Sequence, residues 1–240
     1  KGGKPFILME SCPGPTNWGV INRQLRPGVH RMKSLQAIAH GSDTVCYFQL
    51  RKGRGASEKF HGAVIDHSEN PEGRMFREIA ELSKDLKKLE GVVGCHTPAK
   101  VAIMYDWNSR WALDASAGPS DHCKQYFATV KKHYEYFWQN GIPVDMVGPE
   151  SDLSKYTLVI APTLYMVSET LVQRFKDYVS AGGTLVATYL TGVVNETDLV
   201  YMGGLPGNMR DLFGIWSEEI DYLYPHEVSK LTANGTNKFK

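Results

Sequence analysis

Phe6-Ile7-Leu8-Met9-Glu10-Ser11-Cys12-Pro13-Gly14-Pro15-Thr16-Asn17-Trp18 is the stretch around which the chain is organised. A short apolar run reads as a strand buried on both faces. It ends on a carboxylate, and a loop broken by proline and glycine and carrying an aromatic follows at once. In parallel α/β architectures the strands are packing material and their C-terminal ends open onto the site of chemistry. Glu10 at a strand end is therefore a better candidate for a chemical role than a glutamate on a helix face. The competing reading is a solvated glutamate closing an ordinary strand.

Working outward, residues 29–40 read as a helix, with Val29, Met32, Leu35 or Gln36 and Ala39 on one face and Gly41 as its stop. Thr44-Val45-Cys46-Tyr47-Phe48-Gln49-Leu50 reads as a second strand and runs into the basic, glycine-broken Arg51-Lys52-Gly53-Arg54-Gly55. Over 72–90 the apolar Met75, Ile79, Leu82, Leu86 and Leu89 recur at helical spacing, with charge on the other face. Residues 91–98 carry two glycines and end in proline, which makes them a linker. The expected division is 1–91, 99–224 and a polar, breaker-rich tail at 225–240.

Beyond the linker, strands and helices alternate. Residues 100–105, 144–147, 157–162 and 184–189 read as strands. Residues 120–140 read as a helix with Tyr126, Val130, Tyr134 and Phe137 on one stripe. Ser168 caps a further helix with Leu171, Phe175, Tyr178 and Val179 inward, and Gly182-Gly183 ends it. This alternation predicts βαβ units and an α/β fold: an open, three-layer parallel sheet of flavodoxin-like type. Asp106, Trp107 and Trp111, after its first strand, occupy the spot where such folds bind ligands. The glycine-rich Met202-Gly203-Gly204-Leu205-Pro206-Gly207 reads as a turn before a short helical 208–213, because neither a dinucleotide fingerprint nor a Gly-Lys-Ser/Thr loop is present.

Composition narrows the function classes. A formal net charge of +1 over 240 residues, with acids and bases interspersed, leaves no basic footprint for nucleic acid or an anionic membrane surface. No run approaches a membrane span, and the first residues show no signal segment. Cys12, Cys46, Cys95 and Cys123 lack Cys-x-x-Cys spacing and read as free buried thiols in a cytoplasmic protein. His30, His40, His67, His96, His122, His133 and His226 are dispersed without His-x-x-x-His pairing, so no metal site and no cofactor are predicted.

The run 6–18, the segment 28–50 with its His40-Gly41 turn, and Glu58-Lys59-Phe60-His61-Gly62 resemble the end of the catalytic barrel of the glycoside hydrolase family 42 β-galactosidases. The resemblance continues through the second domain to Tyr222. It implies the last two strand-helix units of a (β/α)8 barrel, followed by a flavodoxin-like, glutamine-amidotransferase-like trimerisation domain. It further implies retaining hydrolysis of terminal β-D-galactosides by double displacement. The nucleophile of the family's Met-Glu pair falls on Glu10, and Trp18, Phe48, Glu58 and His61 fall on positions that line the galactose subsite. The implied partners are a galactoside and two further copies of the chain in a homotrimer.

Retaining glycosidases need two carboxyl groups about 5 to 5.5 Å apart. In the family the acid/base glutamate stands at the end of the fourth barrel strand, upstream of the nucleophile. The chain then holds half a catalytic pair, and these residues alone are expected to be inactive. Each candidate has a plainer reading: Trp18 as a loop anchor, Phe48 as core, Glu58 and His61 as a solvated loop. A non-catalytic α/β oligomerisation module is the alternative for the whole chain. An amidotransferase-like hydrolase is disfavoured, because no cysteine follows a strand at Ala161-Pro162-Thr163 or Leu190-Thr191-Gly192.

Overall fold

The computed structural model describes residue 4 and residues 6–118, 124–224 and 226–228. They fall into two compact units divided between Thr97 and Pro98.

In the first unit, β1 (Ile7–Ser11) is followed by α1 (Val29–Ala39) and β2 (Thr44–Tyr47), and the two strands pair in parallel. Ser42 seals the return of the chain into β2: its hydroxyl accepts from Leu8 N at 3.2 Å and donates to Thr44 O at 2.7 Å. Next to it Asp43 N donates to Phe6 O, while the Asp43 carboxylate accepts from Phe6 N at 2.8 Å. Helix α2 (Arg74–Lys88) buries Met75 and Leu82, as its apolar spacing predicts, and is tied to α1 by Arg31 and Asp85 at 3.0 Å. That ion pair is largely solvated, so it orients the helices more than it stabilises them.

Three expectations for this unit are corrected. The run at 6–10 is not buried on both faces in this chain: Ile7 is 45% and Met9 81% exposed, because among the described residues β1 has a strand neighbour, β2, on one side alone. Helix α1 turns inward His30 and Ser34 rather than the Val29 and Met32 face, since the ring of Tyr47 packs tilted on His30 at 4.9 Å. Burial lowers the pKa of His30 from its ordinary value. The thiols are not buried either: Cys46 and Cys95 are exposed and Cys12 is half-buried. Cys123 lies outside the described residues.

The second unit is a four-stranded, wholly parallel sheet in the order β4-β3-β5-β6, with β3 Val101–Met104, β4 Val144–Val147, β5 Leu158–Ala161 and β6 Thr184–Ala187. Strand alternation sorts its side chains into two cores. Ala102, Met104, Val159 and Ala161 face α5 (Glu169–Ser180), with Leu171, Val172, Phe175 and Tyr178. Val101, Ile103 and Ile160 face α3 (Trp107–Ala115) and α4 (Tyr126–Gln139), with Leu113, Tyr126, Val130 and Phe137. Central β3 is buried at every position, whereas β6, paired only to β5, leaves its side chains partly or wholly exposed. Ser168 caps α5 by accepting from Leu171 N, and Val172 takes the inward place expected for Val179, which is exposed.

The segment after β3, to which the sequence reading assigned no element, is a helix, α3. The start read at Ser120 for the next helix lies outside the described residues, and α4 is described from Tyr126. Of the tail at 225–240, only 226–228 are described. The glycine-rich segment forms a short 3-10 turn at Gly207–Met209 leading into α6 (Arg210–Phe213).

Candidate functional site

The candidate residues of the first unit cluster at the C-terminal ends of β1 and β2. The strand register runs Ile7 to Thr44, Leu8 to Val45, then Ser11 to Tyr47. Between the last two pairs β1 advances three residues and β2 only two, so Met9 and Glu10 together oppose Cys46. Such a slip inserts an unpaired residue, bends the strand and re-aims its side chains, and it recurs beside active sites. Glu10 sits in this slip and its side chain is exposed. Immediately beyond, Phe48 N donates to Ser11 O at 3.2 Å, which sets Phe48 beside the end of β1.

His61 joins this cluster although its sequence surroundings look like an exposed loop. It is 3% exposed, and its ring stands edge-on to Phe48 with centroids 5.1 Å apart. Two contacts bring it there. The backbone of the 58–62 turn closes through His61 N donating to Glu58 O, and Gly62 N donates to Pro15 O at 2.7 Å. On the far side, Val64 N and Ile65 N donate to Gln49 O and Leu50 O, so the segment beyond His61 pairs with the chain leaving β2.

Trp18 and Glu58 lie further out. Both are exposed, Trp18 by 77%. They are carried on segments that touch: Asn17 Nδ2 donates to Ser57 O at 3.0 Å, one residue before each of the two candidates. The structure therefore brings Glu10, Phe48 and His61 to one edge, and tethers the Trp18 loop to the Glu58 loop.

Sequence reading missed what holds these loops together. Cys12, taken as one of several scattered thiols, has its sulfur 3.3 Å from Gly14 O, 3.3 Å from Pro15 O and 3.8 Å from His61 Nδ1. Gly14 and Gly62 are buried in backbone contact. The signal was present in Pro13-Gly14-Pro15 and His61-Gly62, whose glycines permit close backbone approach.

In the second unit the two places singled out by sequence are met by groups of the chain itself. At the end of β3 the Asp106 carboxylate accepts from Asn108 N and Ser109 N, so the positive end of α3 is met by the chain's own charge. Ser109 Oγ accepts from Met166 N at 3.0 Å, joining α3 to the segment after β5. Trp107 and Trp111 are exposed, with ring centroids 5.6 Å apart, and the Arg110 guanidinium lies 5.3 Å over Trp107. In the glycine-rich turn Gly203 O accepts from Trp216 Nε1 at 2.9 Å and from Arg210. The turn is thus fastened by side chains of its own chain. Among the described residues no three His, Cys, Asp or Glu side chains gather as metal ligands, and no helix is long and apolar enough to cross a membrane.

Comparison with known proteins gives two family matches, one described as a β-galactosidase trimerisation domain over residues 99–239 and one described as a β-galactosidase over residues 1–89. The chain is 47% identical over 98% of its length to β-galactosidase Pbg of Clostridium perfringens, and 48% identical over 93% to β-galactosidase GanA of Bacillus subtilis. Of those proteins it covers 34% and 33%, so the chain spans about a third of the length of the curated relatives it matches. Among solved structures it is similar to a β-galactosidase from Bacillus circulans sp. alkalophilus, with TM-score 0.90 and 50% identity over 93% of this chain and 33% of that one. A β-galactosidase from Rahnella sp. R3 gives TM-score 0.90 at 51% identity, over 95% and 33% of the two chains.

Proposed function

Since this chain belongs to the glycoside hydrolase family 42 β-galactosidases, we propose that the protein carrying it hydrolyses terminal β-D-galactosides with retention of configuration, with Glu10 as nucleophile. The observation that carries this reading is the placement of Glu10 in the register slip at the C-terminal end of β1, beside the Phe48 and His61 pair at the end of β2. Parallel strands joined by a helix, with polar and aromatic side chains at their C-terminal ends, suit the last two strand-helix units of a barrel.

The chemistry follows from the residue types. In the first step the Glu10 carboxylate attacks the anomeric carbon and the glycosidic C–O bond breaks. A proton from a second carboxyl group goes to the leaving oxygen. In the second step water attacks the galactosyl ester, the second carboxylate takes its proton, and Glu10 is released as carboxylate. The acid/base partner is not among the five candidates named here. Trp18 offers an indole face to the C–H side of the sugar, Phe48 floors the site, and Glu58 and His61 hydrogen-bond hydroxyl groups.

For the second unit the reading is a flavodoxin-like domain that supplies homotrimer contacts. Its strand order β4-β3-β5-β6 and its exposed aromatic residues Trp107, Trp111 and Trp138 support this.

The test is Glu10→Gln in the intact protein. Turnover of a nitrophenyl β-galactoside should fall by roughly 10⁴-fold or more, the scale seen when a covalent nucleophile is removed, and a 2-fluorogalactoside should leave a mass adduct on Glu10. Retained turnover, or an adduct elsewhere, contradicts the assignment.

A further inference from the structure

We propose that Cys12 is a positioning residue for His61: its sulfur and the Gly62 carbonyl together hold the proton on Nδ1, so that Nε2 is presented to the substrate as a hydrogen-bond acceptor. The proposal rests on the galactosidase reading for its substrate, but not for its geometry.

The argument is one of counting protons. A carbonyl oxygen only accepts. His61 Nδ1 lies 3.1 Å from Gly62 O, so a hydrogen bond there requires the proton on Nδ1. The second group at Nδ1 is the Cys12 sulfur, 3.8 Å away. A thiol has a single proton, and two carbonyls compete for it, Gly14 O and Pro15 O, each 3.3 Å from the sulfur. Whichever of them receives it, the sulfur turns a lone pair toward His61. Nδ1 thus faces two acceptors and no donor, and a neutral ring in this setting carries its proton there and leaves Nε2 bare. Among the described residues Nε2 has no protein hydrogen-bond partner, although His61 is 3% exposed.

The same sulfur is a mechanical link. Pro15 O accepts both from Gly62 N at 2.7 Å and from the thiol, so Cys12 fastens the loop leaving β1 to the turn that carries His61. With the Phe48 ring edge-on at 5.1 Å, the imidazole is held on two sides. An acceptor at Nε2 selects for a sugar position that bears a hydroxyl donor. This is a directional preference that a stacking aromatic does not provide.

The experiment uses Cys12→Ala and Cys12→Ser in the intact protein, with Glu10→Gln as the control for the catalytic reading. Loss of one neutral hydrogen bond predicts that Cys12→Ala raises KM for a nitrophenyl β-galactoside by about fivefold with kcat within about twofold. Cys12→Ser, which keeps one donor proton and a lone pair toward Nδ1, should restore KM to within about twofold of the parent. Crystal structures should show the His61 ring turned about its Cβ–Cγ bond in the alanine variant and held in the serine variant. An unmoved ring in Cys12→Ala overturns the proposal, and so does an equal loss in kcat and thermal midpoint in both variants. If Glu10→Gln keeps its turnover, the catalytic reading fails, and the ring positions alone decide for or against the role of Cys12.

Discussion

Gly14 and Gly62 meet backbone to backbone: a Cβ on Gly62 would stand 2.4 Å from Gly14 Cα, and a Cβ on Gly14 would stand 2.8 Å from Gly62 Cα. Neither atom can yield, since both belong to main chain rather than to a flexible side-chain end. The loop leaving β1 and the turn carrying His61 can lie this close only while both positions lack side chains.

Gly62→Ala is therefore expected to destabilise the intact protein by about 1–3 kcal/mol, the usual range for an overpacked interior, and to lower kcat/KM by parting His61 from Phe48. Gly53→Ala serves as the control, because a Cβ there meets nothing within 4 Å. Urea unfolding and galactoside kinetics on the two variants check this. Equal behaviour of both would refute the role assigned to the contact.

A second expectation concerns alkali. The Tyr126 hydroxyl is buried and accepts from Asp106 N at 2.8 Å, and burial pushes its pKa up to about 12. The folded state thus favours the neutral phenol over an unfolded-state value near 10. The resulting stabilisation is complete below about pH 10 and is lost as pH rises toward 12, a span of about 2–3 kcal/mol for two units. Tyr126→Phe should cost about 1–3 kcal/mol at neutral pH by leaving the Asp106 N–H unpaired. It should also flatten the fall in stability between pH 10 and 12. Denaturant midpoints at stepped pH values measure both effects, and an unchanged alkaline slope in the variant would count against it.

The third expectation separates the two units. Residues 98–224 contain both faces of their sheet and should unfold cooperatively on their own, by calorimetry or urea. The 240-residue chain by itself should not turn over a galactoside, because the nucleophile proposed at Glu10 stands on two paired strands and not in an enclosing barrel. Turnover by the purified chain that Glu10→Gln abolishes would overturn the second statement.

What could be read from sequence divides along physical lines. Strand and helix alternation in the second unit was legible because apolar periodicity and caps such as Ser168 agree there. Helix α3 was not: Trp107, Asn108 and Ser109 lack an apolar stripe, and the clue was the polar cap of Asp106 reaching Ser109. Burial was overestimated at both sheet margins, since Met9 and Val186 have strand-like surroundings in sequence but are exposed. Helix α1 inverted the expectation because its inward groups are His30 and Ser34, which a count of apolar residues passes over. At the candidate site, residue identities came from motif resemblance. Their proximity depends on the register slip and on the paired glycines, and neither leaves a periodic trace.

The slip at Met9 and Glu10 makes the direction of the carboxylate a matter of counting rather than of composition. Three steps of β1 match two of β2. Exchanging Met9 for leucine leaves that count untouched and should preserve most activity of the intact protein, because the two side chains are close in volume and both apolar. Deleting Met9 closes the ladder to one-for-one pairing, and in a strand of period two this moves a side chain to the opposite face. If Glu10 is the nucleophile proposed above, the intact protein should accept substitutions beside it yet lose activity to a single-residue shortening, and parallel assays of the exchange and the deletion would show it.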